Sequence, residues 1–238
     1  VSDLAKATSL AQNNWIVARK KNDFNLFLPF LRRNIDLLIE KADCLGYAAH
    51  PYDPLLDEYE PYADTELIDR VFETLQVRLS DIVRKIQSSD QVDSSFLETR
   101  FNTGKQDRFG REVIADLGYS MENGRLDISA HPFTITLGSR DVRITTRFSE
   151  KSLLSGLFSN IHETGHALYE LGFDDEIRNN ILATGTSLGM HESQSRLWEN
   201  QLGRSLSFWR QYLPRLQKYF PKQLAGIDPE QFYRAVNS

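Results

Sequence analysis

The sequence of 238 residues contains a single cysteine, Cys44, which excludes an internal disulfide framework. Because Cys44 lies among apolar residues in a helical pattern, we expect a buried, unreactive thiol. No apolar run approaches the ~18 residues that a membrane-spanning helix needs. The first residues, VSDLAKATSLAQNNW, also lack the basic and apolar segments of a signal peptide. We therefore expect a cytoplasmic protein that has no membrane partner.

The sequence also lacks a large excess of positive or of negative charge. The net charge is −5, and the 26% of residues that are charged have both signs interspersed along the chain. Nucleic-acid-binding domains usually carry a clustered basic patch, so we expect no nucleic-acid partner. The hydrophobic content of 40% is typical of globular proteins, and the length suffices for one domain with a sizeable core.

Hydrophobic periodicity predicts helices over most of the chain. A proline-rich segment at 50–62 is predicted to be a loop, and the polar segment 88–95 is the best internal boundary. The chain is therefore predicted to be a single, mainly α-helical domain covering residues 1–238. The predicted helices are 3–20, Asn22 (as cap) to Leu45, Asp64 (as cap) to Gln87, 104–120, and Ser149 (as cap) to Leu171.

The periodicity changes to a two-residue alternation between residues 126 and 147. This pattern predicts a β-hairpin with strands at about 126–136 and 140–147, turning at Gly138 and Ser139. Pro132 cannot donate a ladder hydrogen bond, so the first strand is expected to have a free edge. The fold class expected is thus mainly α, with a small β-hairpin or sheet.

The segment NIHETGHALYELG, residues 160–172, carries a His-Glu-x-x-His pattern. His162 and His166 lie one turn apart on the same helix face, so both imidazoles can reach one metal ion. Glu163 is rotated away from that face, a position that suits a general base acting on an attacking water. Gly165 is expected to leave room for a substrate. By itself, the pattern is also compatible with histidines that face solvent or satisfy a core contact.

A third metal ligand must come from another element of the chain. Glu170 continues the row of histidines but lies eight residues from His162, about 12 Å along the helix axis. Glu192, near the start of the next helix, is the predicted ligand, unless it only stabilises that helix N-terminus. Glu199 is its rival, or a partner that orients a histidine. Two histidines and one glutamate form the zinc set of hydrolytic metallopeptidases.

These motifs resemble the carboxypeptidase Taq family of metallocarboxypeptidases, also called thermostable carboxypeptidase 1. The segments ARKKNDFNLFLPFL and PYDPLLDEYEP also look like segments of that family, so the resemblance covers essentially the whole chain. Four family motifs occur in the family order: HPF at 131–133, D-x-R-x-T at 141–145, H-E-x-x-H at 162–166, and H-E-S-Q at 191–194.

The resemblance implies that His162, His166 and Glu192 bind Zn²⁺ or Co²⁺ and that Glu163 activates water. It also implies a helical, cleft-bearing homodimer that releases single residues from peptide C-termini. Family members are longer at both ends and carry a later segment with an arginine and a tyrosine for substrate. Since this chain starts with Val and lacks that segment, we expect a truncated form with part of one cleft wall missing.

The predicted hairpin supplies two candidate substrate-binding residues. His131 is placed to donate a hydrogen bond to the scissile carbonyl or the oxyanion, and Arg143 to hold a terminal carboxylate. A free strand edge can also pair with an extended peptide. The alternative is that Arg143 forms a structural ion pair with Asp141 and that His131 caps a turn. His50 is expected in a loop, and His191 next to the metal site.

The sequence as a whole predicts a metal-dependent carboxypeptidase with Glu163 as its general base. Two alternatives remain open. One is another H-E-x-x-H zinc peptidase, an endopeptidase or an aminopeptidase, that uses the same ligands. The other is an inactive, truncated fragment that folds as a dimerising helical module.

Overall fold

The computed structural model describes residues 1–238, and these form two compact units, Val1–Ile82 and Val83–Ser238. The division falls inside a helix rather than at the polar segment 88–95, which follows that helix. The prediction of a single metallopeptidase core stays a prediction. The helices that begin in the first unit are α1 (Ser2–Lys21), α2 (Leu28–Leu45), α3 (Asp53–Asp57) and α4 (Thr65–Gln87).

The junction between α1 and α2 differs from the prediction. Asn22 ends α1 in a left-handed conformation, with φ 52° and ψ 42°, instead of capping α2. Asparagine tolerates this conformation better than most residues, which suits it to the end of a helix. Asp23 instead caps the short 3₁₀ turn Phe24–Leu26, where its side chain accepts a hydrogen bond from the Asn25 N–H. The predicted cap of α4 is confirmed, because Asp64 accepts from the Leu67 N–H at 2.7 Å.

Two expectations for the first unit are wrong, one about burial and one about secondary structure. Cys44 is exposed in the last turn of α2, in which Leu37 and Ala42 are the buried residues. The segment 50–62, predicted to be a loop, contains the one-turn helix α3, in which Pro54 lies in the first turn where proline is tolerated. The amphipathic helix α4 has no buried residue.

The second unit is built around α6, the helix that carries both histidines. One side of α6, including Phe158 and Ile161, packs into an aromatic core around Trp209, which is fully buried. Burying each such side chain contributes about 1.5–3 kcal/mol, so this core fixes the rotation of α6 and hence the direction of its opposite face. The remaining elements are α5 (Thr103–Asp116), α6 (Leu153–Leu171), α7 (Leu188–Arg196), a π-helical turn (Leu197–Gly203), α8 (Leu206–Tyr219) and α9 (Pro229–Val236).

The predicted hairpin is a three-stranded sheet in the order β1-β3-β2. Its strands are β1 (Leu126–Ile128), β2 (Thr134–Gly138) and β3 (Asp141–Thr146). β2 pairs with β3 in antiparallel fashion, as predicted, whereas β1 pairs with the other side of β3 in parallel. Pro132 lies in the break between β1 and β2 rather than within a strand. β2 nevertheless has a free edge, because β3 occupies only one of its sides.

The mainly α fold with a small sheet beside α6 is therefore confirmed. The start of α6 was predicted wrongly, because Ser152 rather than Ser149 is the cap, accepting from the Ser155 N–H. Ser149 forms an isolated bridge to Ser152 and lies before the helix. None of the helices combines the length and the apolar character needed to cross a bilayer.

Candidate metal centre

Three side chains from two helices converge on one point of the second unit. His162 and His166 of α6 direct their Nε2 atoms toward Glu192 of α7. The Glu192 Oε2 lies 3.5 Å from the His162 Nε2 and 3.3 Å from the His166 Nε2. One ligand atom from each of the three residues lies within 4.8 Å of the others.

These distances fit a single divalent ion. Two ligand atoms that each lie about 2.0–2.1 Å from a tetrahedral zinc ion are separated by roughly 3.3 Å. The two nitrogen-to-oxygen separations match that value, and the donor set of two imidazoles and one carboxylate is a known catalytic zinc set. The residues present therefore fit a metal ion such as zinc. Glu170, excluded above on distance, is not part of this group.

Glu199 orients one of the two histidines. Its Oε2 accepts a hydrogen bond from the His162 Nδ1 at 2.9 Å, which leaves the Nε2 of that ring to face Glu192. Glu199 therefore contacts a histidine in the way expected of a partner that orients the ring, and not in the way expected of a third metal ligand. The hydrogen bond with Glu199 is also the main reason that the pKa of His162 is raised, and it lowers the pKa of Glu199.

His166 is held differently, by a second histidine. Its Nδ1 lies 2.6 Å from the His191 Nδ1, and the His191 Nε2 lies 2.7 Å from the Glu170 Oε1. Burial and the neighbouring rings of His191 and His162 lower the pKa of His166 to about 4. The ring is therefore neutral at neutral pH, which is the form that binds a metal.

Two hydrogen bonds orient the Glu192 carboxylate and favour its ionised form. Partial burial opposes ionisation, but hydrogen bonds from Ser195 and Arg196 outweigh it, so the pKa of Glu192 is lowered. Arg196 donates from Nε to the Glu192 Oε1 at 2.7 Å, which leaves Oε2 as the oxygen nearest both imidazoles.

Glu163 lies beside the three converging residues but does not join them. Its side chain is buried, and its Oε2 accepts a hydrogen bond from the Thr134 hydroxyl of β2 at 2.7 Å. Burial raises the pKa of Glu163, although the Thr134 hydrogen bond and the charges of His162 and His131 oppose the rise. A carboxyl group whose pKa is shifted toward neutrality is suited to gain and lose a proton during a reaction.

A cleft of about 470 Å³ opens next to these residues. The residues that line it include Glu163, His162, Glu199, His131 and Pro132. His131 thus lies in the same cleft as the predicted base. Its Nδ1 is 2.7 Å from the carbonyl oxygen of Pro132.

Arg143 lies apart from this cleft lining. Its guanidinium makes two hydrogen bonds of 2.8 Å to the Asp141 carboxylate, which is the alternative interaction considered above. The β2–β3 register pairs Arg143 with Ile135, so both point to the sheet face opposite to that of Thr134, which contacts Glu163. The substrate-binding role of Arg143 stays a prediction.

Gly165 does not leave room for a substrate, contrary to expectation. A Cβ atom at this position would lie 2.7 Å from the Ser195 Cα and 2.9 Å from the Gln194 carbonyl oxygen. The glycine instead lets the backbone of α7 approach α6 closely. This approach brings Glu192, on α7, within reach of the histidines.

Replacing Gly165 by alanine should therefore disturb both stability and the metal site. The added methyl group meets backbone, which cannot rotate away, so overpacking outweighs the ~1 kcal/mol that alanine contributes through helix propensity. We expect the free energy of unfolding to fall by about 1–2 kcal/mol and the affinity for Zn²⁺ to fall as α7 is displaced. Urea denaturation and a competitive zinc titration measure the two effects.

Gly138→Ala is the matched control, since a Cβ there would meet no atom within 4 Å. It should change the unfolding free energy by less than about 0.5 kcal/mol. If Gly165→Ala behaves in the same way as this control, the close packing of α6 and α7 does not matter for the site.

Several residues of the site escaped the sequence analysis. Thr134 contacts Glu163 across 29 positions of sequence, and no local pattern indicates such a contact. Arg204 contacts the Glu199 Oε1 at 3.3 Å from just beyond the π-helical turn. Arg196 was detectable, because it lies four residues after Glu192 on one helix, a spacing at which ion pairs form.

Comparison with known proteins agrees with this geometry. The family model described as "Carboxypeptidase Taq (M32) metallopeptidase" matches residues 1–238. "Thermostable carboxypeptidase 1" of Thermus thermophilus is 41% identical over 247 residues, covering 99% of this chain and 48% of that protein. "Carboxypeptidase 1" of Bacillus subtilis is 38% identical over 230 residues, covering 96% of this chain and 46% of that protein.

Solved structures agree with the sequence relatives. An M32 carboxypeptidase from Deinococcus radiodurans matches with a TM-score of 0.90 and 38% identity, over 99% of this chain and 48% of that one. A metallocarboxypeptidase of Trypanosoma cruzi matches with a TM-score of 0.81 and 32% identity, over 97% of this chain and 47% of that one. The chain spans about half the length of these relatives. From the site geometry and the match along its whole length, the chain belongs to the carboxypeptidase Taq (M32) metallopeptidase family.

Proposed function

We propose that this chain holds the catalytic centre of a metal-dependent carboxypeptidase. The observation that carries the proposal is the convergence of the His162 Nε2, the His166 Nε2 and the Glu192 Oε2 beside a buried carboxylate, Glu163, at the wall of a cleft. Three ligands and a nearby carboxylate meet the requirements of metal-assisted hydrolysis.

The residues divide the chemistry between them. A divalent ion bound by the three ligands supplies Lewis acidity, which polarises a carbonyl and makes water more acidic. Glu163 accepts the proton from the attacking water and passes it to the leaving amine nitrogen. Because Thr134 donates to the Glu163 Oε2, the hydroxyl holds the carboxylate in place and leaves Oε1 to take the proton.

The cleft supports the binding of an extended peptide. The free edge of β2 offers main-chain groups to a peptide. His131 lines the same cleft as Glu163, where it can donate a hydrogen bond to the developing oxyanion. For Arg143, binding a terminal carboxylate requires that the carboxylate replace Asp141. We propose that the substrates are peptides. Of the two candidate substrate-binding residues, His131 can contact a peptide without giving up an ion pair, whereas Arg143 cannot.

The choice of a carboxypeptidase over other metallopeptidases rests on the relatives, two of which are named carboxypeptidases and share about 40% of the residues. Because those proteins are about twice as long, the activity of this chain is part of the proposal. The proposal also includes zinc or cobalt as the metal, a homodimer, and a location in the cytoplasm.

Blocking the two ends of a dipeptide substrate tests the proposal. The purified chain, loaded with Zn²⁺ or Co²⁺, should hydrolyse an N-acylated dipeptide with a free C-terminus and should not release the C-terminal residue from the same dipeptide when it is amidated. Mass spectrometry of the products measures both reactions.

Other outcomes point to the alternatives. Cleavage that requires a free N-terminus indicates an aminopeptidase, and cleavage inside a peptide blocked at both ends indicates an endopeptidase. Metal binding without turnover of any peptide indicates an inactive fragment, and the carboxypeptidase proposal for this chain is then wrong.

A further inference from the structure

A chain of hydrogen bonds leads from the metal-facing ring of His166 to Glu170. The first link joins the Nδ1 atoms of His166 and His191 at 2.6 Å, and the second joins the His191 Nε2 to the Glu170 Oε1 at 2.7 Å. The other oxygen of Glu170 accepts from the Thr136 hydroxyl at 3.2 Å. Glu170 is thus held by two donors and has only 12% of its side chain exposed.

The direction of these hydrogen bonds follows from the carboxylate at the end of the chain. An ionised carboxylate only accepts hydrogen bonds, so the Nε2 of His191 must carry a proton. In a neutral His191 the Nδ1 is then an acceptor, and the Nδ1 of His166 must be the donor. If His166 were instead protonated on Nε2, the Nδ1 atoms of the two rings would face each other with two lone pairs at 2.6 Å.

The position of the proton on His166 determines whether this ring can bind a metal ion. A His166 ring that is protonated on Nδ1 has an unprotonated Nε2, and this nitrogen lies 3.3 Å from the Glu192 Oε2. Only an unprotonated nitrogen binds a metal ion. The tautomer that Glu170 selects is therefore the one that the site needs.

His162 is held in the same tautomer by a single hydrogen bond, since Glu199 contacts its Nδ1 directly. Direct carboxylate–histidine pairs of this kind commonly support metal ligands. At His166 an additional imidazole lies between the carboxylate and the ligand. Because His191 precedes Glu192 on α7, its contact with Glu170 also ties the start of α7 to α6.

We propose that Glu170 is a positioning residue for the metal site, which acts through His191 to hold His166 in its metal-binding tautomer. The inference rests on the metal site proposed above and extends it by two residues. It requires no contact between Glu170 and the metal or the substrate.

Replacing Glu170 by glutamine tests the proposal with little change of shape. A glutamine amide can donate as well as accept, so it no longer dictates which nitrogen of His191 carries the proton. We expect the affinity of the purified chain for Zn²⁺ to fall about 10- to 100-fold in a competitive chelator titration. Glu176→Gln, which makes the same charge change at an exposed residue of the following turn, should bind Zn²⁺ as the unchanged chain does.

A double-mutant cycle separates this role from a general loss of structure. In a His191→Phe background the connection is already broken, so Glu170→Gln should weaken Zn²⁺ binding by less than about twofold further. An equally large loss in that background would show that Glu170 does not act through His191 and would overturn the proposal.

The tautomer itself can be measured without metal. ¹⁵N NMR of the imidazole nitrogens of His166 should show the proton on Nδ1 in the unchanged chain and a mixture of tautomers in Glu170→Gln. An unchanged tautomer together with unchanged Zn²⁺ affinity would reject the role of Glu170. If instead the unchanged chain fails to bind Zn²⁺ while its His166 carries the expected tautomer, the proposed metal site is wrong and the hydrogen-bond chain is not.

Discussion

Replacing Glu163 by glutamine is expected to abolish peptide hydrolysis while leaving metal binding intact. A positioned general base typically contributes about 10²- to 10⁴-fold to the rate, so we expect kcat to fall by about 10³-fold. Glutamine has the same shape and can still accept the hydrogen bond from Thr134, but it cannot take up a proton. Steady-state kinetics on an N-acylated dipeptide and a Zn²⁺ titration measure the two quantities.

The retention of metal follows from the geometry. Glu163 is buried against β2, and its carboxylate is not among the three groups that converge. Removing its charge therefore takes no ligand away. The amide oxygen of glutamine can still accept the hydrogen bond from Thr134, so the fold should tolerate the change.

Glu122→Gln provides the control, because it removes a carboxylate charge at an exposed position that contacts none of the site residues. Its kcat should equal that of the unchanged chain. Turnover by Glu163→Gln within tenfold of the unchanged chain would refute the assignment of the base. Loss of Zn²⁺ in Glu163→Gln would mean that this carboxylate is a ligand after all.

The second large effect is expected at Glu192. Glu192→Ala removes the only carboxylate that faces both imidazoles, and two histidines alone hold zinc poorly. We expect the affinity for Zn²⁺ to fall by more than the roughly 10- to 100-fold that follows the loss of a residue that only orients a ligand. Hydrolysis should be lost at metal concentrations that saturate the unchanged chain.

A comparison with Glu199→Ala distinguishes the two acidic candidates for the third ligand. If Glu199 only orients His162, its loss should weaken Zn²⁺ binding by about 10- to 100-fold, less than the loss of Glu192. The reverse order would make Glu199 the ligand. Stability is a poor explanation for either result at Glu192, because its ion pair with Arg196 is about half-exposed and such pairs contribute about 0–1 kcal/mol.

The histidine pair and its neighbour were predictable, because their relation is local. His162 and His166 lie four residues apart on one helix, and the geometry of any α-helix places such residues on one face. The rotation of Glu163 away from that face follows from the same geometry. Short-range chemistry also identified Asp64 as the cap of α4, since a capping side chain contacts the N–H groups of its own helix.

Predictions from local sequence were less reliable where more than one residue, or more than one position in a helix, suited the same structural role. Ser149 and Ser152 are both suitable caps, and the structure has Ser152 as the cap of α6. Asn22 suits both the start and the end of a helix, and the structure places it at the end of α1. The parallel pairing of β1 with β3 could not be predicted, because a parallel pair has no turn residues that mark it in sequence.

The sequence by itself therefore determined that this protein has a helix with two metal-binding imidazoles on one face, because helical spacing alone decides that relation. The sequence named Glu192 and Glu199 as candidates, but only the tertiary structure decided how each of them meets the imidazoles. Glu192 reaches the histidines since Gly165 allows two backbones to touch, and Glu170 reaches His166 only by way of His191 on another helix. Such contacts depend on how separate helices pack, which no spacing within one helix encodes.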